Sequence, residues 1–400
     1  MTFSPFSSVP LAARDPILGL NEAFAADSRQ NKVNLGVGVY CDDAGRIPVM
    51  AAVKEAEAMR ARAAPARGYL PIDGIVAYNQ AVQTLLLGHG STLVADGRVV
   101  TVQALGGTGA LKVGADLLHR FLPESQVWIS DPSWENHRAL FESAGFAVNT
   151  YPYYDAVSHG LDFEAMLAAV DSLPAKAVLV LHACCHNPTG VDLSTAQWTK
   201  VVDACKRRDV VPFLDIAYQG FGDGIEPDAV AVRLFAASGI DFLVSSSFSK
   251  SFSLYGERVG ALTVVAQSRD EAARVLSQLK RVVRTNYSNP PTHGGSVVAT
   301  VLNTPELRVL WEQELGSMRD RIRAMRTGLV DRLAKRGVAR DFAFVKRQRG
   351  MFSYSGLNSA QVDRLREEFG IYAVGTGRIC LAALNNRNID YVADAIAKVL

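Results

Sequence analysis

The chain has 400 residues, with 42 Lys and Arg against 40 Asp and Glu, so its formal net charge is +2. A hydrophobic fraction of 48% with 20% charged residues is typical of a globular protein and excludes a disordered or low-complexity chain. Because the charges nearly balance, they give no general electrostatic reason for binding nucleic acid or an acidic membrane.

Short apolar runs separated by helix-length segments predict the secondary structure. The helical segments include 108–120 and 194–208, and strand–helix alternation of this kind predicts an α/β fold with a mostly parallel sheet. In such sheets ligands bind beyond the carboxyl ends of the strands, so the residues that follow each strand are candidates for a site. The predicted buried strands are 99–105, 127–130, 177–182, 211–216, 242–247 and 261–265.

A long helix is predicted to begin at Thr304, as the N-cap residue before Pro305. Apolar residues then recur at spacings of three and four from Leu307 to Leu333, and the pattern ends near Gly337. A helix of this length is expected to link two domains. We expect a large domain over 46–316, a smaller α/β domain made of 14–45 and 317–400, and an N-terminal arm over 1–13.

Glycines follow the first predicted strand at 106–109, where a helix pattern begins. Glycine amides and a helix N-terminus together suit a phosphate group, and a plain tight turn is the alternative. After the third strand, Asn187-Pro188-Thr189-Gly190 places an amide side chain at the strand end and is a candidate for a cis bond, again with a plain turn as the alternative.

The residues around this second turn also raise the question of zinc. His182, Cys184, Cys185 and His186 are potential ligands, but no second ligand pair stands at a standard spacing elsewhere in the chain. We therefore expect no metal.

Polar residues also end the next two strands. Asp215 shares a strand face with apolar residues, so its carboxylate needs a cation or a donor, and Tyr218 follows it; a helix cap or a buried ion pair is the alternative. Ser247, Ser249 and Lys250 close the following strand, and hydroxyls with an amine at this point suit a phosphate and a nucleophile. A solvated surface lysine is the alternative there.

Jointly these strand ends match a phosphorylated pyridine aldehyde. The amine would form a Schiff base, and the acid would keep the ring nitrogen protonated so that the ring accepts electrons. The phenol and the amide would bond the ring hydroxyl, while the glycines, the serines and Arg258 would hold the phosphate.

The sequence resembles the class I pyridoxal-phosphate aminotransferases, in the aspartate and aromatic-amino-acid branch. The resemblance implies fold type I of the pyridoxal-phosphate transferases, with a large domain whose mostly parallel sheet lies between helices and a smaller α/β domain. The matching segments are NLGVGVY (34–40), GYLPIDG (68–74), LGGTGALKVGAD (105–116), DPSWENH (131–137), HACCHNPTG (182–190), LDIAYQGFG (214–222), SSSFSKSFSLYGERVG (245–260), RTNYSNPP (284–291), RGMFSYSGL (349–357) and VGTGRICLAAL (374–384).

The resemblance implies roles around the cofactor ring. Lys250 is the Schiff-base lysine and the base that moves the substrate Cα proton, and Asp215 is the partner of the pyridine nitrogen, with His137 and His182 behind it. Tyr218 and Asn187 bond the ring hydroxyl, and Trp134 stacks on the ring.

The phosphate and substrate carboxylates also receive partners by resemblance. Arg378, helped by Gly38, binds the substrate α-carboxylate, where Trp134 and Asn187 also line the substrate site. Arg284 reaches the side-chain carboxylate of a dicarboxylic substrate from the other subunit, so the resemblance implies a homodimer with shared active sites. The phosphate-binding residues are Gly107, Thr108, Ser247, Ser249 and Arg258, with Tyr69 donated by the neighbouring subunit.

These roles predict a ping-pong transamination between amino acids and 2-oxo acids. Ile47 and the segments 214–216 and 253–256 resemble the aromatic branch, whereas Val39, Thr108 and Asn289 resemble the aspartate branch. We predict an enzyme with dual specificity that acts on tyrosine, phenylalanine and aspartate with 2-oxoglutarate. A strict aspartate aminotransferase is the alternative.

Two alternative functions from other protein classes are also considered. Ser247 and Lys250 satisfy the S-x-x-K motif of serine acyl-transfer enzymes, and 287–289 resembles their second motif, but no K-T-G occurs. A cofactor-binding fold used for regulation is a further alternative, although no DNA-binding segment is evident.

The cysteines, the first residues and the length of the apolar runs bear on the cellular compartment of the protein. The five cysteines are odd in number and two are adjacent, which favours a reducing environment over a disulfide framework. The first residues lack a basic start followed by an apolar stretch, and no apolar run approaches the roughly 18 residues of a membrane span. We therefore expect a cytoplasmic protein with neither membrane nor nucleic-acid partners.

Overall fold

A computed structural model describes residues 4–12, 15 and 17–400 as alternating strands and helices, with short 3-10 turns at Tyr255–Glu257 and Leu381–Ala383. The helices are α1 (Leu18–Ala26), α2 (Ala51–Ala63), α3 (Val76–Leu87), α4 (Thr92–Ala95), α5 (Gly106–Phe121), α6 (Glu135–Ser143), α7 (Phe163–Ser172), α8 (Thr195–Arg208), α9 (Ile225–Asp228), α10 (Val230–Ser238), α11 (Arg269–Asn286), α12 (Thr292–Asn303), α13 (Pro305–Lys335), α14 (Phe344–Arg347), α15 (Ser359–Phe369) and α16 (Ile389–Val399). The strands are β1 (Val33–Asn34), β2 (Val99–Leu105), β3 (Val127–Asp131), β4 (Val148–Pro152), β5 (Tyr154–Asp155), β6 (Gly160–Leu161), β7 (Val178–His182), β8 (Val211–Ile216), β9 (Phe242–Ser247), β10 (Val259–Val265), β11 (Phe352–Tyr354), β12 (Ile371–Tyr372) and β13 (Arg378–Cys380).

A seven-stranded sheet lies at the centre of the described chain, in the order β2-β10-β9-β8-β7-β3-β4. Strand β10 runs antiparallel to both of its neighbours, whereas β9, β8, β7, β3 and β4 pair in parallel. The prediction of an α/β fold with a mostly parallel sheet is confirmed.

Both faces of this sheet are covered by helices. In β10, Val259 and Ala261 pack into one apolar cluster with residues of α2, α8, α12 and α13, while Leu262 and Val264 pack into a second cluster with α5 and α11. Successive side chains of a strand point to opposite faces, so a strand covered on both sides needs apolar residues at every position. This is why the central strands appear in the sequence as continuous apolar runs.

Within the central sheet the predicted strand bounds agree closely with the structure: two strands are longer than predicted, β7 begins one residue later, at Val178, and β4 is missing from the prediction. The short strands outside this sheet are also missing from the prediction. Strand β3 continues to Asp131, and β10 begins at Val259, because Val259 and Gly260 already pair with Leu105 and Ala104 of β2. Strand β4 is absent from the prediction because it lies at the sheet edge, where only Tyr151 of its five residues is buried, so its sequence lacks an apolar run.

Helix α13 occupies the predicted position, from Pro305 to Lys335. Thr304 stands at the N-cap, but its side chain makes no capping hydrogen bond there. One face of the helix is buried, and Trp311 on that face stacks on Phe252 with ring centroids 4.7 Å apart and donates from Nε1 to the carbonyl of Ser251 at 2.7 Å.

Segments near the two ends of the chain pair with each other. Strand β1 pairs in parallel with β12, and β11 pairs antiparallel with β13. These strands belong to the segments that the sequence assigns to a smaller domain, and the domain bounds stay a prediction. The expected arm over 1–13 and the bound at 14 fall partly on residues outside the described ones. No helix in the described part of the chain combines the length and apolar character that a membrane crossing needs.

Candidate active site

A cavity of about 240 Å³ opens beyond the carboxyl ends of the central strands. The sequence predicts a site at this position, because ligands bind beyond the carboxyl ends of parallel strands. Most of the residues that the sequence assigns to the site line the cavity. The predicted residues that line the cavity are Gly38, Gly107, Thr108, Trp134, Asn187, Asp215, Tyr218, Ser247, Ser249, Lys250, Arg258 and Arg378.

Asp215, near the end of β8, is a buried carboxylate with one free oxygen. Its Oδ2 lies 3.1 Å from Nε2 of His137, whose Nδ1 is in turn 2.9 Å from the hydroxyl of Ser133. Its Oδ1 is buried without a hydrogen-bond partner among the described residues. Burial raises the pKa of Asp215, but the hydrogen bond and charge of His137, with nearby His182 and Lys250, outweigh it and hold that pKa below its ordinary value. The carboxylate therefore stays ionised and can accept one more donor.

His182 lies behind this pair, as the sequence predicts. Its ring centroid is 4.9 Å from that of His137, and its Nε2 is buried without a partner among the described residues. Burial, together with the charge of His137, lowers the pKa of His182 to about 3, so its ring is neutral at ordinary pH.

Lys250 lies in the turn after β9, and its side chain is half-buried in the cavity wall. Its Nζ is 5.0 Å from the centroid of the Tyr218 ring. Burial lowers the pKa of Lys250 to about 8, with the charge of Asp215 opposing this shift and that of Arg258 adding to it. An amine with this pKa is partly neutral near neutral pH, and the neutral form is the one that attacks a carbonyl.

The N-terminus of α5 and the end of β9 form a cradle of donors. Arg258 donates from Nη1 to Oγ of Ser249 at 3.2 Å, and the hydroxyl of Ser247 lies 3.3 Å from that of Ser249. Gly106 begins α5 with φ +68°, and a Cβ on it would lie 2.4 Å from Nη2 of Arg258, so a side chain would displace the guanidinium. Hydroxyls, a guanidinium and a helix N-terminus with Gly107 in its first turn are the groups that bind a phosphate.

Arg378, at the start of β13, is almost completely buried in the opposite wall. Its Nη1 donates to Oδ1 of Asn187 at 3.1 Å and its Nη2 to the carbonyl of Gly36 at 2.7 Å, whereas its Nε has no partner among the described residues. Its guanidinium carbon lies 4.4 Å from the centroid of the Phe352 ring. A guanidinium fixed in this way keeps donors available for a planar carboxylate.

Gly38 lies beside this arginine for a steric reason. A Cβ at position 38 would come 2.5 Å from Cζ of Phe352, so only glycine leaves that ring in place.

Two predicted aromatic residues complete the walls. Trp134 is the N-cap residue of α6, and its ring meets that of His137 edge-on at 5.3 Å. Tyr218 packs edge-on against Phe352 at 5.9 Å, and burial raises the pKa of its phenol far above the ordinary value. Asn187 precedes a cis proline, as the sequence suggests.

Two predicted residues do not enter this cavity. Tyr69 is 96% exposed, and Arg284, in the last turn of α11, is also exposed and donates to the hydroxyl of Ser288. The sequence assigns both residues to the active site of the other subunit, and that assignment stays a prediction.

The sequence analysis missed some residues of the cavity as site residues. Val37, Ala217, Tyr255 and Phe352 line it, and so does Ile17. The phenol of Tyr255 accepts from the backbone N–H of Tyr40 at 2.9 Å. These side chains carry no reacting group, and only the matching segments around four of them marked their neighbourhood, namely 34–40, 214–222, 245–260 and 349–357.

Three of the four residues that raised the question of zinc, namely Cys184, Cys185 and His186, have other neighbours, whereas Nε2 of His182 has no partner among the described residues. Both ring nitrogens of His186 lie near hydroxyls, at 2.9 Å from Ser130 and 2.8 Å from Thr189. Cys184 and Cys185 lie near Asp228, but that carboxylate already accepts three backbone N–H groups of the 220–223 loop.

The geometry also bears on the serine acyl-transfer alternative. Ser247 ends a strand and Lys250 lies in a turn, so the S-x-x-K segment does not open a helix as that motif requires. Ser288, in the segment that resembles the second motif, does not line the cavity. The arrangement instead joins an amine, an ionised carboxylate, a group of hydroxyl and guanidinium donors around Arg258, and the buried guanidinium of Arg378.

Comparisons with known proteins agree with this arrangement. The family described as aminotransferase class I and II matches residues 30–396. The aspartate aminotransferase of Pseudomonas aeruginosa is 67% identical over 397 residues, covering 99% of this chain and all of that protein. The aromatic-amino-acid aminotransferase of Escherichia coli is 52% identical over 396 residues, covering 99% of this chain and all of that protein.

A solved structure is also similar along its whole length. The crystal structure of the aromatic-amino-acid aminotransferase from Burkholderia pseudomallei, covalently bound to pyridoxal phosphate, has a TM-score of 0.97 and 69% identity, and the match covers 100% of both chains.

Proposed function

Because the chain belongs to the class I and II aminotransferases, we propose that it transfers amino groups from tyrosine, phenylalanine and aspartate to 2-oxoglutarate, with pyridoxal phosphate as cofactor. The observation that carries the proposal is the meeting of Lys250, the free oxygen of Asp215 and the cradle around Arg258 in one cavity. Each of these groups would bind a different part of the cofactor.

The residues present fit pyridoxal phosphate. The buried Oδ1 of Asp215 lacks a donor, which the protonated pyridine nitrogen would supply. The cradle of Ser247, Ser249 and Arg258 provides neutral and charged donors for the phosphate. When bound, the cofactor supplies an aldehyde that condenses with amines and a ring that accepts electrons from the substrate.

Lys250 is proposed to hold the cofactor and then to act as the base. Its lowered pKa, of about 8, leaves a fraction of the amine neutral near neutral pH. Once the substrate amine has replaced it, the lysine amine would remove the proton from the substrate Cα and return a proton on the cofactor side.

Asp215 is proposed to favour electron acceptance by the ring. A carboxylate that stays ionised opposite the ring nitrogen keeps a proton there, and the positive charge of that N–H draws electrons from the reacting carbon. His137 holds the second oxygen, which fixes the direction of the first.

Arg378 is proposed to orient the substrate by its α-carboxylate. Because Asn187 and Gly36 already hold two of its nitrogens, the guanidinium is in position before the substrate arrives. Gly38 and Phe352 close the space beside it.

The substrate range is proposed from two features. Arg284, brought by a second subunit, would bind the distal carboxylate of aspartate and 2-oxoglutarate, and the exposure of Tyr69 and Arg284 supports a homodimer in which each subunit completes its partner's site. Apolar lining residues, among them Val37, Val39 and Phe352, favour aromatic side chains. Relatives carry aspartate, tyrosine and aromatic-amino-acid names, so a strict aspartate enzyme is the alternative.

The visible spectrum of the purified holoenzyme tests the proposal. The protein should be yellow, and tyrosine, phenylalanine and aspartate, added separately, should each shift the band toward the near ultraviolet. A shift with aspartate alone would support the strict enzyme. Absence of a band that borohydride removes would contradict the cofactor assignment. Lys250→Ala provides a matched control, which lacks the proposed base and should not show the near-ultraviolet shift with any amino acid.

A further inference from the structure

A second pocket, of about 310 Å³, lies between α13, the 346–350 segment and the loop at 221–223. None of the predicted cofactor or substrate residues lines it. Its lining contains a single acidic residue, Asp223, against a larger number of cations. Those cations are Arg319, Arg323, Arg326, Lys346, Arg347 and Arg349.

The cations stand on two walls that meet at Asp223. Arg323 of α13 donates from Nη2 to Oδ1 of Asp223 at 2.8 Å, and Arg349 of the facing segment forms an ion pair with Oδ2 of the same carboxylate. The single carboxylate of Asp223 thus pairs with one arginine on each wall.

The acids around the pocket neutralise only part of this charge. Lys346 pairs with Asp331 at 2.8 Å, and Asp320 lies 3.8 Å from both Arg319 and Arg323. The side chain of Arg347, which is exposed, forms neither an ion pair nor a hydrogen bond with any described residue. Its positive charge is therefore free for a ligand.

Two arginines deeper in the pocket are anchored by backbone. Arg326 is 2% exposed and donates to the carbonyls of Val345, Gly350 and Phe352. Arg319 donates from Nη1 to the carbonyl of Gly220 at 3.0 Å, while its Nε is buried without a hydrogen-bond partner among the described residues. Their charges are thus held in place without a carboxylate at hydrogen-bonding distance.

We propose that this pocket is a binding site for a small diphosphate anion. Two walls of cations that share one carboxylate suit a ligand with two negative groups, one for each wall. Phosphate groups carry more charge than carboxylates at neutral pH, and arginine binds them through paired donors. The excess of cations over acids in the lining thus favours a diphosphate over a dicarboxylate.

Isothermal titration calorimetry of the holoenzyme with inorganic pyrophosphate tests the proposal. The double variant Arg323→Gln/Arg347→Gln removes one exposed cation from each wall and should weaken pyrophosphate binding about 10-fold or more. The matched control Arg62→Gln/Arg364→Gln makes the same charge change on α2 and α15, outside the pocket, and should change the dissociation constant less than about twofold.

Two comparisons sharpen the result. Orthophosphate and citrate should each bind more weakly than pyrophosphate, and the pyrophosphate affinity should fall as NaCl is raised. Equal loss of affinity in the two double variants, no loss in either, or citrate binding as tightly as pyrophosphate would overturn the proposal. Because the heat of anion binding is measured without an amino-acid substrate, the outcome is separate from the test of transamination.

Discussion

The position of Lys250 predicts a pH dependence of stability that can be measured in the cofactor-free protein. Its pKa falls from the ordinary 10.5 to about 8 because the ammonium is desolvated in the cavity wall. That pKa difference corresponds to about 3 kcal/mol by which the charged form of Lys250 destabilises the folded protein. Because water still reaches the half-buried side chain, we expect the destabilisation to be about 1–3 kcal/mol.

The sign follows from proton binding. Between pH 8 and 10.5 the unfolded chain binds more protons at this lysine than the folded chain does, so the lysine's destabilising effect diminishes as the pH rises. Lys250→Met removes the charge at all pH values. The variant should be more stable than the parent by about 1–3 kcal/mol at pH 7, and its advantage should shrink to less than about 1 kcal/mol at pH 10.

Urea unfolding of both cofactor-free proteins from pH 7 to 10 measures the difference. The buried phenols of Tyr78 and Tyr151, which do not line the cavity of Lys250, have raised pKa values and affect both proteins equally, so they cancel in the comparison. Lys54→Met, on the exposed face of α2, is the matched control and should leave the pH dependence unchanged. If the curves of parent and Lys250→Met run parallel from pH 7 to 10, the assigned environment of the amine is wrong.

Three further substitutions test other parts of the account. Asp215→Asn removes the charge that we propose faces the cofactor ring nitrogen, and it should lower kcat about 100-fold or more in steady-state assays. Arg284→Ala should lower kcat/KM for aspartate about 10- to 100-fold, through loss of charge-assisted hydrogen bonds, and change that for phenylalanine far less. Trp311→Ala opens a cavity in the core and should lower the free energy of unfolding by about 3–5 kcal/mol in urea titrations, whereas Val309→Ala, 56% exposed on the same helix, should cost under about 1 kcal/mol.

Each of these results has a contradicting outcome. Retention of near-normal turnover by Asp215→Asn would remove its role at the ring nitrogen. Equal losses on aspartate and phenylalanine in Arg284→Ala would deny that arginine a part in choosing substrates. A Trp311→Ala protein as stable as Val309→Ala would mean that the α13 contact with Phe252 contributes little.

The strands were predictable because of how they are buried. The strands over 99–105, 211–216 and 242–247 have the predicted bounds since both faces are covered and nearly every position is buried, so that most residues are apolar or small. The antiparallel direction of β10 is set by its pairing with β2 and β9, which leaves no local signature in the residues of one strand.

The part of the site that could be predicted consists of reactive side chains that lie at the ends of strands. Asp215 and Lys250 follow apolar runs, and because parallel strands bring their carboxyl ends to one edge of the sheet, the sequence predicts that the two side chains lie close together. The sequence did not identify Phe352 and Tyr255 as site residues, because these side chains contribute the shape of the cavity. The shape of a cavity depends on how segments that are distant in sequence pack together. The hydrogen bonds that hold Arg378 to Asn187 and Gly36 span 191 and 342 residues of sequence, a separation that no periodicity reports.

The central claim is the bond between the amine of Lys250 and the cofactor aldehyde, and reduction with borohydride followed by peptide mapping tests it most directly. The account predicts that the holoenzyme loses its visible band and that the reduced cofactor is recovered on the peptide containing Lys250. Recovery of the label on another lysine, or of an unlabelled Lys250 peptide from protein whose band has been bleached, would contradict it.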